Sequence, residues 1–190
     1  MPTDKKILHQ FRPGLYALLI FLLSYFVFLL LWLQVKDVYG RGITYTASKA
    51  VTAVKEVRLM DLIKEGDIYT VVFMPLRHGA DILIDIPVKT SSYTFNAPLT
   101  LAILSAMFLS IRKRLRAYLE AALMLIFIHL LYVFSLEAKE ITDVFMGMGL
   151  SSPNILKTGF YQFLWSFIDN MVIRFEPFLI GFYIYLRYKR

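Results

Sequence analysis

The chain contains no cysteine, which excludes disulfides, thiolate metal sites, cysteine nucleophiles and dithiol redox chemistry together. Histidine is nearly as scarce. His9, His78 and His129 stand singly, so one copy of the chain is not expected to build a histidine-rich metal site. Glycine-rich phosphate loops and HExxH-type metal patterns are missing, and Ser24, Ser105 and Ser110 have no evident base beside them. Charge is thin as well: 18% of the 190 residues are Asp, Glu, Lys or Arg, against about 25% in an ordinary soluble domain. What fills the chain is apolar, 58% hydrophobic and 16% aromatic, and it is gathered in blocks. That distribution points to an integral membrane protein with helical spans.

Leu15–Val35, "LYALLIFLLSYFVFLLLWLQV", is 21 residues without a formal charge, a helix of about 31 Å and close to the hydrocarbon thickness of a bilayer. Lys5, Lys6 and Arg12 precede it, but the run exceeds a secretory h-region and no small-x-small cleavage site follows, so it reads as an uncleaved anchor. Residues 36–95 differ in kind, with eight Lys/Arg and seven Asp/Glu. Within them "TASKAVTAVKEV" has helical spacing with Thr46 as its N-cap. "VRLMDLI" and "DIYTVVFMPL" form a hairpin around Gly66, and the alternation of "ILIDIPV" makes a third strand after a turn at "RHGAD". The expected fold is therefore membrane α-helical, four transmembrane helices with a small extracytoplasmic α+β module between the first and second. The later spans are 96–111, capped by Asn96, then 118–136, and 171–186. Between the last two, 137–170 reads as an extracytoplasmic loop followed by an aromatic helix at the interface.

The basic residues decide orientation. Three precede the first span, four lie in the 112–117 loop (Arg112, Lys113, Arg114 and Arg116), and three follow the last span. Cytoplasmic flanks collect Lys and Arg, and these clusters share one side of the membrane only if there are four spans. The expectation is a bacterial inner-membrane protein with N-terminus and C-terminus in the cytoplasm and the 112–117 cluster as a topology anchor. Contact with membrane lipids follows. Nucleic-acid binding is not expected, because a six-residue loop pinned to the bilayer offers little reading surface.

Ionisable groups inside a membrane are costly and are therefore the first candidates for function. His129 and Glu176 both fall near the expected midplane, which motivates an intramembrane polar contact among His129, Arg174 and Glu176. Pro177 removes a helix hydrogen bond and can bend the last span there. Tyr161, Trp165, Asp169 and Asn170 form a candidate interface. His78 and Asp81, with Asp85 beyond, are conceivable as an acid–base pair, but a polar, glycine-containing hairpin turn explains them without chemistry and is the preferred reading. Neither a metal, a cofactor nor a catalytic set is expected.

The order of parts, with "SSYTFNAPLTLAIL", the basic "RKRLR", the Tyr161–Gln162–Phe163 stretch and a proline in the last span, resembles the exosortase H-associated membrane proteins. These are small bacterial inner-membrane companions of an exosortase, a multi-spanning cysteine transpeptidase. The peptidase itself is excluded here by the missing cysteine. The resemblance implies a non-enzymatic accessory subunit in surface-protein sorting, partnered by another integral membrane protein such as an exosortase. Two other readings stay open: a component of an oligomeric transporter or channel, for which a homo-oligomer is compatible, and an unrecognised membrane enzyme.

Overall fold

The structure, a computed structural model, describes residues 3–76, 82–108, 110–111, 114–149 and 155–189, with side chains from Gly14 onward. Its elements are α1 (Thr3–Val54), β1 (Val57–Glu65), β2 (Ile68–Pro75), β3 (Ile84–Lys89), α2 (Ser91–Thr94), α3 (Asn96–Ala106), α4 (Arg114–Gly147) and α5 (Ile155–Phe167). A π-helical stretch, Ile168–Ile173, then leads into α6 (Arg174–Tyr188). Two of these helices are long and apolar enough to cross a membrane, α1 from Gly14 onward and α4.

Several expected boundaries are corrected. α1 does not stop after the apolar run and restart at Thr46; it is one helix of 52 residues. No proline or turn sequence interrupts residues 36–46, and the covered positions keep one helical phase throughout. Ile20, Ser24, Phe28, Trp32, Lys36, Tyr39, Ile43, Ala47 and Val51 lie three or four residues apart, all half-buried or buried. Asn96 is not a cap: Phe95 occupies that position without a side-chain cap bond. Residues 137–147, expected as loop, continue α4, because Ala138, Ile141 and Thr142 extend the buried face of its apolar run. Nor does a break separate the aromatic helix from the last span. Residues 155–188 are helical throughout, with the π-wound stretch directly upstream of Pro177, which supplies no amide hydrogen to the preceding turn.

The hairpin and third strand form as the pattern predicts. The sheet is antiparallel in the order β1-β2-β3. Gly66, at φ 60°, sits in the two-residue turn joining β1 to β2 and takes a left-handed conformation that other residues resist. In β3 the alternation is complete: Ile84, Ile86 and Val88 are buried, while Asp85, Pro87 and Lys89 are exposed. Both outer strands carry features that discourage further pairing, a bulge between Leu59 and Asp61 in β1 and Pro87 in β3. The expected second turn, with Arg77, His78 and Asp81, lies outside the described residues.

The chain divides into two compact units. One comprises Met1–Val35, Phe95–Met124 and Glu176–Arg190; the other comprises Lys36–Thr94 and Leu125–Phe175. The first unit is packed around small residues. Ala97, Ala102, Ala117, Ala121 and Gly181 are buried, and a Cβ on Gly181 would meet Ile103 Cγ2 at 2.9 Å. Small residues let helix backbones approach closely where no hydrophobic force separates them from lipid. The second unit holds the sheet, with Val71, Phe73, Ile86, Val88 and Tyr93 in its core.

Candidate functional site

The second unit contains a column of polar side chains between two helix faces. On α1, Gly40, Ile43, Thr44, Ala47, Ser48, Val51 and then Lys55 are buried at three- and four-residue spacing. On α4 the matching face carries His129, Tyr132, Val133, Glu137 and Thr142. Polar bonds between described residues join the two faces. Tyr39 Oη lies 2.7 Å from His129 Nδ1, Ser48 Oγ 2.7 Å from Glu137 Oε1, and Lys55 Nζ 2.5 Å from Thr142 Oγ1. Their sequence separations, 90, 89 and 87 residues, stay nearly constant, as they must for helices running parallel.

The short helix α2 adds an aromatic wall. Its Tyr93 hydroxyl donates to the Gly40 carbonyl at 3.4 Å and lies 3.3 Å from Thr44 Oγ1. Burial pushes this phenol up to about 12. Its ring meets His129 edge-on at 5.4 Å and Tyr132 at the same distance, and Tyr132 packs on Trp165 at 5.0 Å. The approach of α1 to this wall depends on Gly40, whose absent Cβ would stand 2.5 Å from Thr90 Cγ2.

Lys55 closes the column just past the end of α1. It is only 6% exposed, donates to Thr142 and lies 3.4 Å from the Tyr161 ring centroid. Burial, reinforced by the charge of Lys157 and opposed by Asp143, lowers this amine to about 8. The Tyr161 ring face acts the other way by favouring the cation.

Of the sequence candidates, His129 belongs to this column in the second unit, and Glu176 is buried in the first, where Asn96 Nδ2 donates to its Oε2 at 3.4 Å. Arg174 is exposed. Among the interface candidates Tyr161 is buried under Lys55, Trp165 is half-buried against Tyr132, Asp169 is half-buried, and Asn170 is exposed with its amide on the Ser166 carbonyl at 3.0 Å. Arg114 and Arg116 open α4, with Arg114 stacked 3.6 Å from the Phe108 ring centroid; Arg112 and Lys113 lie outside the described residues. A second polar cluster in the first unit joins Tyr188 to Glu120 at 2.6 Å and Arg187 to the same carboxylate at 3.3 Å.

Sequence reasoning did not select Tyr39, Ser48, Lys55, Tyr93 or Glu137. One signal was available: Ser48 falls on the same stripe as Ala47 and Val51, and Glu137 follows His129 and Val133 at four-residue steps. Chemically the column is closed. Ser48, His129 and Glu137 are all 0% exposed, so the hydroxyl–carboxyl pair is enclosed by the fold. Among the described residues, no three carboxylate or imidazole groups gather as a metal site. An apolar groove of about 210 Å³ does open between the same helices, with Ala47 and Ala50 on one side and Phe127, Leu131 and Phe134 on the other. Compared with known proteins, the chain matches no family model, no curated protein and no solved structure.

Proposed function

We propose that this protein is a non-enzymatic membrane subunit that binds or positions another integral membrane protein. The observation that carries this reading is the outer face of α5. Leu156, Phe160, Phe163 and Phe167 recur at helical spacing and are 85, 57, 67 and 45% exposed, within the unit that also holds the sheet. The other side of the same helix is occupied by Tyr161, under Lys55, and Trp165, against Tyr132. An apolar face of this length on a helix fixed from behind is the form that helix-in-groove recognition takes.

In this reading the chain crosses the bacterial inner membrane four times, at 15–35, 96–111, 118–136 and 171–186, with both termini cytoplasmic. The basic clusters support that orientation. The likeness of layout to exosortase H-associated proteins makes an exosortase the partner to test first, in surface-protein sorting. A photoreactive residue placed at Phe163 in the full chain, in native membranes, tests the proposal. A discrete protein adduct, absent when the probe is moved to Trp165, is the expected result. Adducts with lipid alone would overturn it. A reporter fused after Arg190 that is active only outside the cytoplasm would overturn the topology.

A further inference from the structure

The Ser48 hydroxyl makes two short contacts, and their proton count is informative. Its oxygen lies 2.7 Å from the Thr44 carbonyl oxygen and 2.7 Å from Glu137 Oε1. A hydroxyl carries one hydrogen, and a backbone carbonyl can only accept. If Glu137 were ionised, two acceptors would compete for that one hydrogen. If Glu137 is a carboxylic acid, its own O–H donates to Ser48, Ser48 donates to Thr44, and both contacts are satisfied. Among the described residues the other carboxyl oxygen, Oε2, is buried without a hydrogen-bond partner. A buried carboxylate oxygen lacking a donor is expensive, whereas a neutral C=O costs far less.

The surrounding charges leave this count unchanged. Lys55, beyond Ser48 on the α1 side, is committed to Thr142 and the Tyr161 ring. Lys139, two residues along α4, pairs with Glu140 and Asp143. His129 on α4 bonds Tyr39, Lys157 and Tyr161 on α5 lie around Lys55, and the Tyr93 phenol of α2 is near enough to feel Glu137. Tyr69 of β2 interacts with Tyr93. Among the described residues no cation forms an ion pair with Glu137.

We propose that Glu137 is held in the fold as a neutral carboxylic acid that donates its proton to Ser48, latching α4 to α1 in that protonation state alone. Loss of the proton strands a charge and leaves Ser48 between two acceptors, so alkaline conditions open the latch. The device is independent of which partner the protein binds.

Infrared spectroscopy of the purified full chain in detergent tests it. At neutral pH the wild type should show the C=O stretch of a protonated buried carboxyl, and Glu137→Gln should lack it. The Gln variant keeps a donor for Ser48, so its melting temperature should stay within a few degrees of wild type at neutral pH. It should also lose the part of the alkaline destabilisation that wild type shows. Ser48→Ala removes the acceptor and should move the carboxyl band to higher frequency, a readout that stands even where the Gln variant folds poorly. A neutral-pH spectrum in which the wild type and Glu137→Gln are identical in this region, or a band indifferent to Ser48→Ala, would overturn the proposal.

Discussion

The two halves of α1 have one helical phase and opposite surfaces. In the first half, Leu15, Leu19, Leu23, Val27 and Leu31 are about half-exposed or more, and even the stripe through Ile20, Ser24, Phe28 and Trp32 is only half-buried. In the second half, Ile43, Thr44, Ala47, Ser48 and Val51 are at most 6% exposed, and polar bonds to α2 and α4 hold the face. Mean composition hides this. The strongly apolar half has little protein around it and suits a hydrocarbon solvent. The mixed half is fixed by particular partners. In a bilayer, burial by lipid replaces burial by protein, so hydropathy reports the solvent and not the amount of packing.

The largest predicted effect breaks the second half at its end. Lys55 is protonated in the unfolded chain up to its ordinary 10.5, but in the fold only up to about 8. Between those values the unfolded state binds more protons, so this residue's contribution to stability rises with pH, by as much as about 3 kcal/mol before the Tyr161 ring face offsets part of it. Across that window the stability difference between the wild type and Lys55→Met, measured by denaturation, should shift in favour of the wild type, because the alkaline loss at Glu137 is common to both proteins. A flat difference between the two would remove the buried-amine assignment.

A matched pair sharpens the contrast directly. Val51→Ala, at a fully buried position, should cost about 2 kcal/mol from lost methyl groups and the cavity left behind. Leu23→Ala, at a position 69% exposed, should change stability by less than about 0.5 kcal/mol in detergent. Equal costs would mean the halves are packed alike. Next comes Gly40→Ala, whose new methyl runs into Thr90 and should cost about 1.5 kcal/mol by overpacking. Thr90→Ala in the same chain should restore most of that loss, since the obstructing atom is its Cγ2. A smaller loss than that of Gly40→Ala is expected of Tyr39→Phe, which removes one hydrogen bond to His129, about 1 kcal/mol.

Parts of this architecture were readable beforehand for a plain reason. Where one face of an element meets one environment, its period is printed in the residues. The β3 alternation, the Gly66 turn and the apolar runs in α1 and α4 are such cases. Boundaries were less legible. Thr46 has the chemistry of an N-cap but sits in mid-helix, because a cap is needed only where the backbone loses its preceding turn. Asn96 likewise stands at a helix start, yet its side chain is directed to Glu176. The candidate column was the least visible. Glu137 follows an apolar run and is followed by Lys139 and Glu140, the signature of a solvated flank, yet it is completely buried.

The sequence by itself determined what each segment can tolerate: which runs suit hydrocarbon, where the chain turns, and what an absence of cysteine forbids. Those properties are local, set by the side chains of a few consecutive residues and the solvent they prefer. Only the tertiary structure decided that Ser48 faces Glu137, that Lys55 lies over Tyr161, and that Gly40 must be bare to admit Thr90. These pairings join residues many tens of positions apart. They follow from the register of packed helices, to which no single segment holds the key.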